Sequence, residues 1–190
     1  VQSRGKLRRE PTRALRSGRT RRRPRRERPG RRGRIPAMVP IAGRPPEVGP
    51  RADPGHREGD LVVGGGGRSC VATLVERRTR HVMPAALGGE RGSAHVTAAL
   101  ARLIARLPAH LALSLTWDQG KELTGHRSLT AETGVAVYFC DPHSPWRRGS
   151  DENTDGLLRR YPPKGTELNG RPRETLGRAT PAGRMEELLR

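Results

Sequence analysis

The sequence predicts an α/β layered domain: a mixed five-stranded sheet flanked by helices, behind a basic N-terminal segment that is disordered when free. Three observations carry this. From about residue 57, short β-rich runs and helical stretches follow one another in the order β-β-β-α-β-α-β-α. One stretch, residues 93–107, has an apolar stripe of helical period. The charge is also split. Residues 1–34 hold 16 basic and 2 acidic residues, whereas the other 156 residues hold 22 and 17.

The elements are justified in turn. Arg19 to Arg34 reads RTRRRPRRERPGRRGR, without apolar periodicity, and Pro24 and Pro29 break any helix. Like charges at this density repel, so residues 1–34 stay unfolded alone. Six prolines between Pro36 and Pro54 make residues 35–55 an extended linker. GDLVVG (Gly59–Gly64) is the first β-rich run, and Gly64 to Gly67 form a hairpin turn. No Gly-Lys-Ser/Thr follows, so these glycines are not a phosphate loop. Cys70–Val75 and His81–Leu87 are the next strands, with Pro84 marking an edge. Ser93 is a plausible N-cap. Val96, Ala99, Leu100, Leu103 and Leu107 then form one stripe, closed by Pro108. Leu111–Trp117 reads as a strand, Glu122–Thr133 as a helix ended by Gly134, and Val135–Phe139 as a buried strand. Trp146–Tyr161 is the last helix. Domains follow as 1–52 (Arg/Pro-rich basic linker), 53–162 (folded core) and 163–190 (a shortened C-terminal segment).

Composition excludes several classes. The net charge is +19, hydrophobic residues make up 32%, and mean hydropathy is −0.78, too polar for a uniformly globular chain. No run of eighteen apolar residues exists, so no membrane span is expected. The N-terminus lacks a signal core, and the expected location is cytoplasmic, at the bacterial nucleoid when bound to DNA. Two cysteines make neither a disulfide framework nor a four-Cys zinc site. Cys70 and Cys140 are simplest as small core residues. The expected partner is a polyanion. The leader, with Arg21, Arg22, Arg23, Arg25 and Arg26, either grips phosphates or is only a solvated tail.

In so basic a chain the acids are informative. Asp60 lies inside the first strand, Asp118 ends the fourth, and Glu152 opens the last helix. In this element order the first and fourth strands can lie side by side, bringing these acids to one sheet edge. Converging carboxylates repel unless divalent cations neutralise them. Two Mg²⁺ ions ~3.5–4 Å apart can clamp the attacking and leaving oxygens of a phosphodiester. The plainer reading is also open, since Asp at a strand end is common in turns.

The surrounding text carries a resemblance. PGHREGDLVVG (Pro54–Gly64), TLVERRTR (Thr73–Arg80), LTWDQGKEL (Leu115–Leu123), VYFCDPHSPWRRGSDENTDGLLRRYPPKGT (Val137–Thr166) and LNGRPRETLGRATP (Leu168–Pro181) resemble the insertion sequence thirty family of bacterial DDE transposases. With 33 residues between Asp118 and Glu152, the spacing also matches. The resemblance implies an RNase H-like, integrase-type core. It implies Asp60, Asp118 and Glu152 as catalytic triad and metal ligands, with two Mg²⁺ (or Mn²⁺) ions as cofactor. The implied activity is metal-dependent strand cleavage at transposon ends, then attack of the freed 3′-hydroxyl on target DNA. The implied partners are transposon-end and target DNA and, as the family generally acts in multimers, further copies of the chain. No membrane is involved. His143, Arg147, Arg148, Lys164, Arg171 and Arg173 match positions suited to contact DNA; ordinary surface charge is the alternative.

The chain departs from the family pattern. The family usually has Trp at Arg57 and at Arg178, and Asn at Asp151 and Asp155. Asp151 and Asp155, four apart on a helix, repel by ~0.2–0.5 kcal/mol; they are expected to raise metal affinity and hinder approach of phosphate. A helix-length segment is missing between Thr166 and Leu168, and the family's helix-turn-helix domain is absent, so a fragment or decayed copy is expected. His56 reads as structural, and Asp141 as a cap or turn residue. Two other functions fit the same residues: a catalytically inactive, basic nucleic-acid-binding remnant of a transposase, and a sugar- or RNA-cleaving RNase H-like nuclease.

Overall fold

A computed structural model of the chain describes residues 35–49, 51–141 and 168–189. The basic leader and the helix expected over 146–161 lie outside them. Residues 35–190 form a unit distinct from 1–34. Strands β1 (His56–Val63), β2 (Cys70–Glu76), β3 (Val82–Gly88), β4 (Ser114–Trp117) and β5 (Ala136–Phe139) make one sheet in the order β3-β2-β1-β4-β5. The first three strands run antiparallel, while β4 is parallel to β1 and β5 to β4. This is the mixed sheet expected, with Pro84 on the edge strand β3 as its missing N–H requires.

Helices α1 (Ser93–Ile104) and α2 (His126–Thr133) lie on one face of the sheet. The α1 stripe is the one read from the sequence: Val96, Ala99, Leu100 and Leu103 are buried against Leu74, Leu115, Trp117 and Phe139. Between the strands, Gly66 and Gly67 take left-handed φ values of 70° and 71° in the β1–β2 hairpin. Gly134 at φ 73° caps the end of α2. Cys70 and Cys140 are both buried and free.

Several expectations change. Ser93 is not the N-cap: Gly92 is, and Ser93 is the first helical residue. Its Oγ accepts the Gly125 N–H at 2.8 Å, tying the start of α1 to the start of α2. Helix α1 ends at Ile104, four residues before Pro108. The expected strand 111–117 begins only at Ser114, because residues Ala109–Leu111 form a 3₁₀ turn after Pro108. The expected helix 122–133 divides into a 3₁₀ turn, Lys121–Leu123, and α2 proper. Gly125 is the N-cap of α2 and packs closely on α1, where a Cβ would stand 2.6 Å from Thr97 Oγ1.

The larger correction concerns residues 35–49, expected to belong to a linker. They form a strap around the edge of the sheet. The Phe139 N–H donates to the Val39 carbonyl at 2.9 Å, and Pro40 bridges Phe139. Ile35, Ile41 and Val48 are buried, each contributing ~1.5–3 kcal/mol by leaving water. The prolines give the extended backbone expected, but three isolated apolar residues make no period from which packing is readable.

Residues 168–189 also fold. Asn169 acts as a surrogate strand residue: its Oδ1 accepts the Val82 N–H at 2.8 Å and its Nδ2 donates to the Val82 carbonyl at 2.9 Å. Gly177 and Arg178 take left-handed φ values of 62° and 68° before helix α3 (Pro181–Leu189), which buries Pro181 and Met185. Among the described residues, no helix is long and apolar enough to cross a membrane.

Candidate active site

Strand alternation sorts β1 and β4 into two faces. Gly59 of β1 and Leu115 and Trp117 of β4 face the helices, in the hydrophobic core. His56, Glu58 and Asp60, with Ser114, Thr116 and Asp118, face the opposite side. The parallel register pairs His56 with Ser114 and Glu58 with Thr116. Two residues further along each chain stand Asp60 and Asp118, at one level of adjacent strands. The side-by-side placement of β1 and β4 is the one expected from the element order.

Both carboxylates are half-exposed. Asp60 Oδ1 accepts the Leu61 N–H at 2.8 Å, and Asp118 Oδ1 accepts the Gly120 N–H at 2.8 Å. The second bond turns the chain sharply at the end of β4, so Asp118 serves at once as turn former and as a candidate ligand. Glu152, His143, Arg147, Arg148 and Lys164 lie outside the described residues, as do Arg21 to Arg26, Asp151 and Asp155. Among the described residues no three His, Cys, Asp or Glu side chains converge as a metal site. The pair Asp60 and Asp118 still fits a hard divalent cation by donor type: carboxylate oxygens, reached from solvent, on a rigid platform. Arg171 is exposed, while Arg173 is half-buried with a bond to the Leu168 carbonyl. Burial lowers its pKa, helped by nearby Arg171.

Beneath the two acids lies a contact that motif reading did not find. The Trp117 ring rests on Gly59, where a Cβ would stand 2.7 Å from Trp117 Cε3. The indole Nε1–H donates to Glu122 Oε1 at 3.1 Å. Burial raises the Glu122 pKa, and the Asp118 charge pushes the same way against the indole bond. The signal is present in TWDQGKE, where Trp117 and Glu122 flank Asp118, but the helical pattern of residues 122–133 marks Glu122 only as a helix start.

The rest of that polar face is structural. His56 Nδ1 lies 2.8 Å from Ser114 Oγ, and burial and Arg77 lower its pKa, in keeping with a structural role. Glu58, fully buried, pairs with Arg77 at 2.7 Å. Arg77 also donates to the Val48 carbonyl and, at 3.4 Å, to that of Gly49. Arg44 donates to Thr116 Oγ1 at 3.2 Å, so the strap is fixed to this face by two arginines. On the helix-facing side, Arg57 is buried opposite Glu76. Its Nη1 donates to the Leu111 carbonyl, but Nε and Nη2 have no hydrogen-bond partner. Burial pushes its pKa down to about 10 despite Glu76.

Comparison with known proteins agrees with this architecture. Residues 50–145 match the integrase core domain family. The chain is 47% identical to the transposase for insertion sequence element IS1086 of Cupriavidus metallidurans, over 98% of this chain and 59% of that protein. It is 44% identical to transposase InsI for insertion sequence element IS30A of Escherichia coli K12, over 88% of this chain and 46% of that protein. The chain thus spans about half the length of these relatives. Among solved structures, the catalytic core domain of BIV integrase superposes with a TM-score of 0.54 at 20% identity, covering 71% of this chain and 95% of that one. That likeness is one of fold, the RNase H-like integrase core. With half of the chain matching the family and nearly all of it aligning with insertion-sequence transposases, this chain belongs to the integrase core domain family, on its IS30-like transposase branch.

Proposed function

We propose that the chain is the catalytic core of a DNA transposase that cleaves strands at transposon ends and joins them to target DNA. The observation that carries this is the parallel pairing of β1 and β4, which brings Asp60 and Asp118 to one level on one face. Glu152, from the helix expected over 146–161, is the third acid of this reading. Asp60, Asp118 and Glu152 would hold Mg²⁺ or Mn²⁺, which when bound supplies Lewis-acid stabilisation of the phosphoryl oxygens. The chain's own part is to hold these carboxylates rigidly and to bring DNA over them. In cleavage, water attacks phosphorus and a 3′-hydroxyl leaves. In joining, that hydroxyl attacks a target phosphodiester and displaces its 3′-oxygen.

In this reading residues 1–52, core 53–162 and segment 163–190 divide the work. Arg21, Arg22, Arg23, Arg25 and Arg26 neutralise phosphates without reading sequence. His143, Arg147, Arg148, Lys164 and Arg171 contact backbone nearer the cut, with Arg173 less available because its side chain is partly engaged. The protein acts in the bacterial cytoplasm on nucleoid DNA, as an assembly of several copies.

Asp60→Asn and Asp118→Asn should each abolish Mg²⁺-dependent nicking and strand transfer on DNA bearing matching ends, with filter-binding affinity for that DNA retained. Cleavage unaffected by both substitutions would refute the proposal. The second reading, a DNA-binding remnant without chemistry, is favoured by Arg57, a buried guanidinium three residues from Asp60 with only Nη1 hydrogen-bonded. It stands if the unaltered chain binds DNA but never cuts it in Mg²⁺ or Mn²⁺.

A further inference from the structure

We propose that Glu122 is a positioning residue: through its hydrogen bond to the Trp117 indole it locks β4 onto β1 and so holds Asp60 and Asp118 in register for metal binding. The inference rests on the metal-binding role proposed for those two acids.

Each acid is preceded by the residue that matters. Gly59 precedes Asp60, and Trp117 precedes Asp118. Gly59 and Trp117 touch, ring on backbone, with no room for a Cβ between them. The two candidate ligands are therefore spaced by one van der Waals contact on the far face of the sheet. The ring makes that contact only in one orientation, and an indole buried without a partner for its N–H would lose ~1–3 kcal/mol. Glu122 Oε1 supplies the partner at 3.1 Å. Trp117 is fully buried, so water cannot substitute.

The path from β4 to Glu122 is equally constrained. The Asp118 Oδ1 bond to the Gly120 N–H folds the chain back. The Glu122 carboxylate then lies directly against Gly120, where a Cβ would collide with it. Among the described residues no three acids converge as a ligand cluster, and the Glu122 carboxyl touches Asp118 through a side-chain hydrogen bond, a contact that an amide also makes. Its carboxylate is used as a hydrogen-bond acceptor, and an uncharged acceptor of the same shape should serve. This separates positioning from ligation.

The test is Mn²⁺ binding to the full chain, followed by electron paramagnetic resonance, alongside the Mg²⁺ concentration giving half-maximal DNA cleavage. Glu122→Leu should weaken Mn²⁺ binding by about tenfold, the lower end for groups that orient ligands, and raise the Mg²⁺ requirement by a similar factor. Glu122→Gln should stay within about twofold of the unaltered chain, since Gln Oε1 accepts the same bond. If Glu122→Leu melts early, Trp117→Phe keeps a ring over Gly59 without the N–H and should show the same loss. Gln as damaging as Leu, or Leu and Phe variants that bind Mn²⁺ normally, would overturn the positioning role. An unaltered chain that binds Mn²⁺ yet cuts no DNA would sink the strand-transfer reading alone; one that binds no Mn²⁺ sinks both.

Discussion

Arg57 shows that a strand tolerates a buried, only partly bonded guanidinium in its core-facing row. Its guanidinium is buried beside Leu74, Ile104, Leu107 and Leu115, at a small apolar cavity, with one nitrogen bonded and two not. Replacing a buried ion by an apolar side chain of similar volume is often neutral or stabilising by ~1–4 kcal/mol. Arg57→Trp should therefore stabilise the domain by about 1–2 kcal/mol, read as a higher urea midpoint with unchanged slope. A lower midpoint would mean that the Leu111 carbonyl and Glu76 depend on the arginine more than its own desolvation costs. At this scale the sequence exposed the oddity, an arginine where the resembling family has Trp, but not its setting. Glu58 and Glu76 were equally opaque: both are fully buried, and nothing in a list of acids tells a buried, bonded carboxylate from one at a working site. The candidate acids Asp60 and Asp118 stand out in the sequence because their neighbours form a motif; Glu122 does not, because its partner is an indole on the other side of the turn.

Among elements, the β1–β4 contact governs the site. Gly59 tolerates no side chain where the Trp117 ring lies. Gly59→Ala should destabilise the fold by roughly 1–3 kcal/mol, the range for overpacking. It should also cut metal-dependent cleavage below what the surviving folded fraction accounts for, as judged by circular dichroism melts run beside the assay. Cleavage that simply tracks the folded fraction would show that the acids tolerate a shift between strands. All five strands were readable, because β-branched runs bounded by Gly and Pro have few alternatives, and their boundaries moved most at the starts of β1 and β4, to His56 and Ser114. The elements that escaped were those fixed by tertiary contacts. The strap 35–49 owes its place to its own Arg44, which donates to Thr116 of β4, and to Arg77, just past the end of β2, which donates to the Val48 carbonyl. Helix α3 owes its place in part to Asn169, a loop residue that pairs with Val82 across 87 positions of sequence.

For the whole molecule, charge is the organising quantity. About three quarters of the +19 sits in residues 1–34, ahead of a core whose acids nearly balance its bases. Each phosphate neutralised contributes about −0.9 to the slope of log K against log salt. Removing residues 1–34 should therefore flatten that slope by at least about four units, measured by fluorescence anisotropy on duplex DNA between low and physiological salt. An unchanged slope would assign DNA binding to the core and leave the leader a solvated tail.

The two flanks of the sheet have a further consequence. A bare terminal strand offers unpaired N–H and C=O groups to any passing chain. Here Val39 and Pro40 occupy part of the outer side of β5, while Pro84 and the Asn169 amide blunt β3. Strand addition, the commonest accident of open sheets, is thus obstructed on both sides. Pairing of bare strand edges, the route to fibrous aggregation, is thereby disfavoured, and under the proposed function copies of the chain would meet through side-chain surfaces or through the DNA.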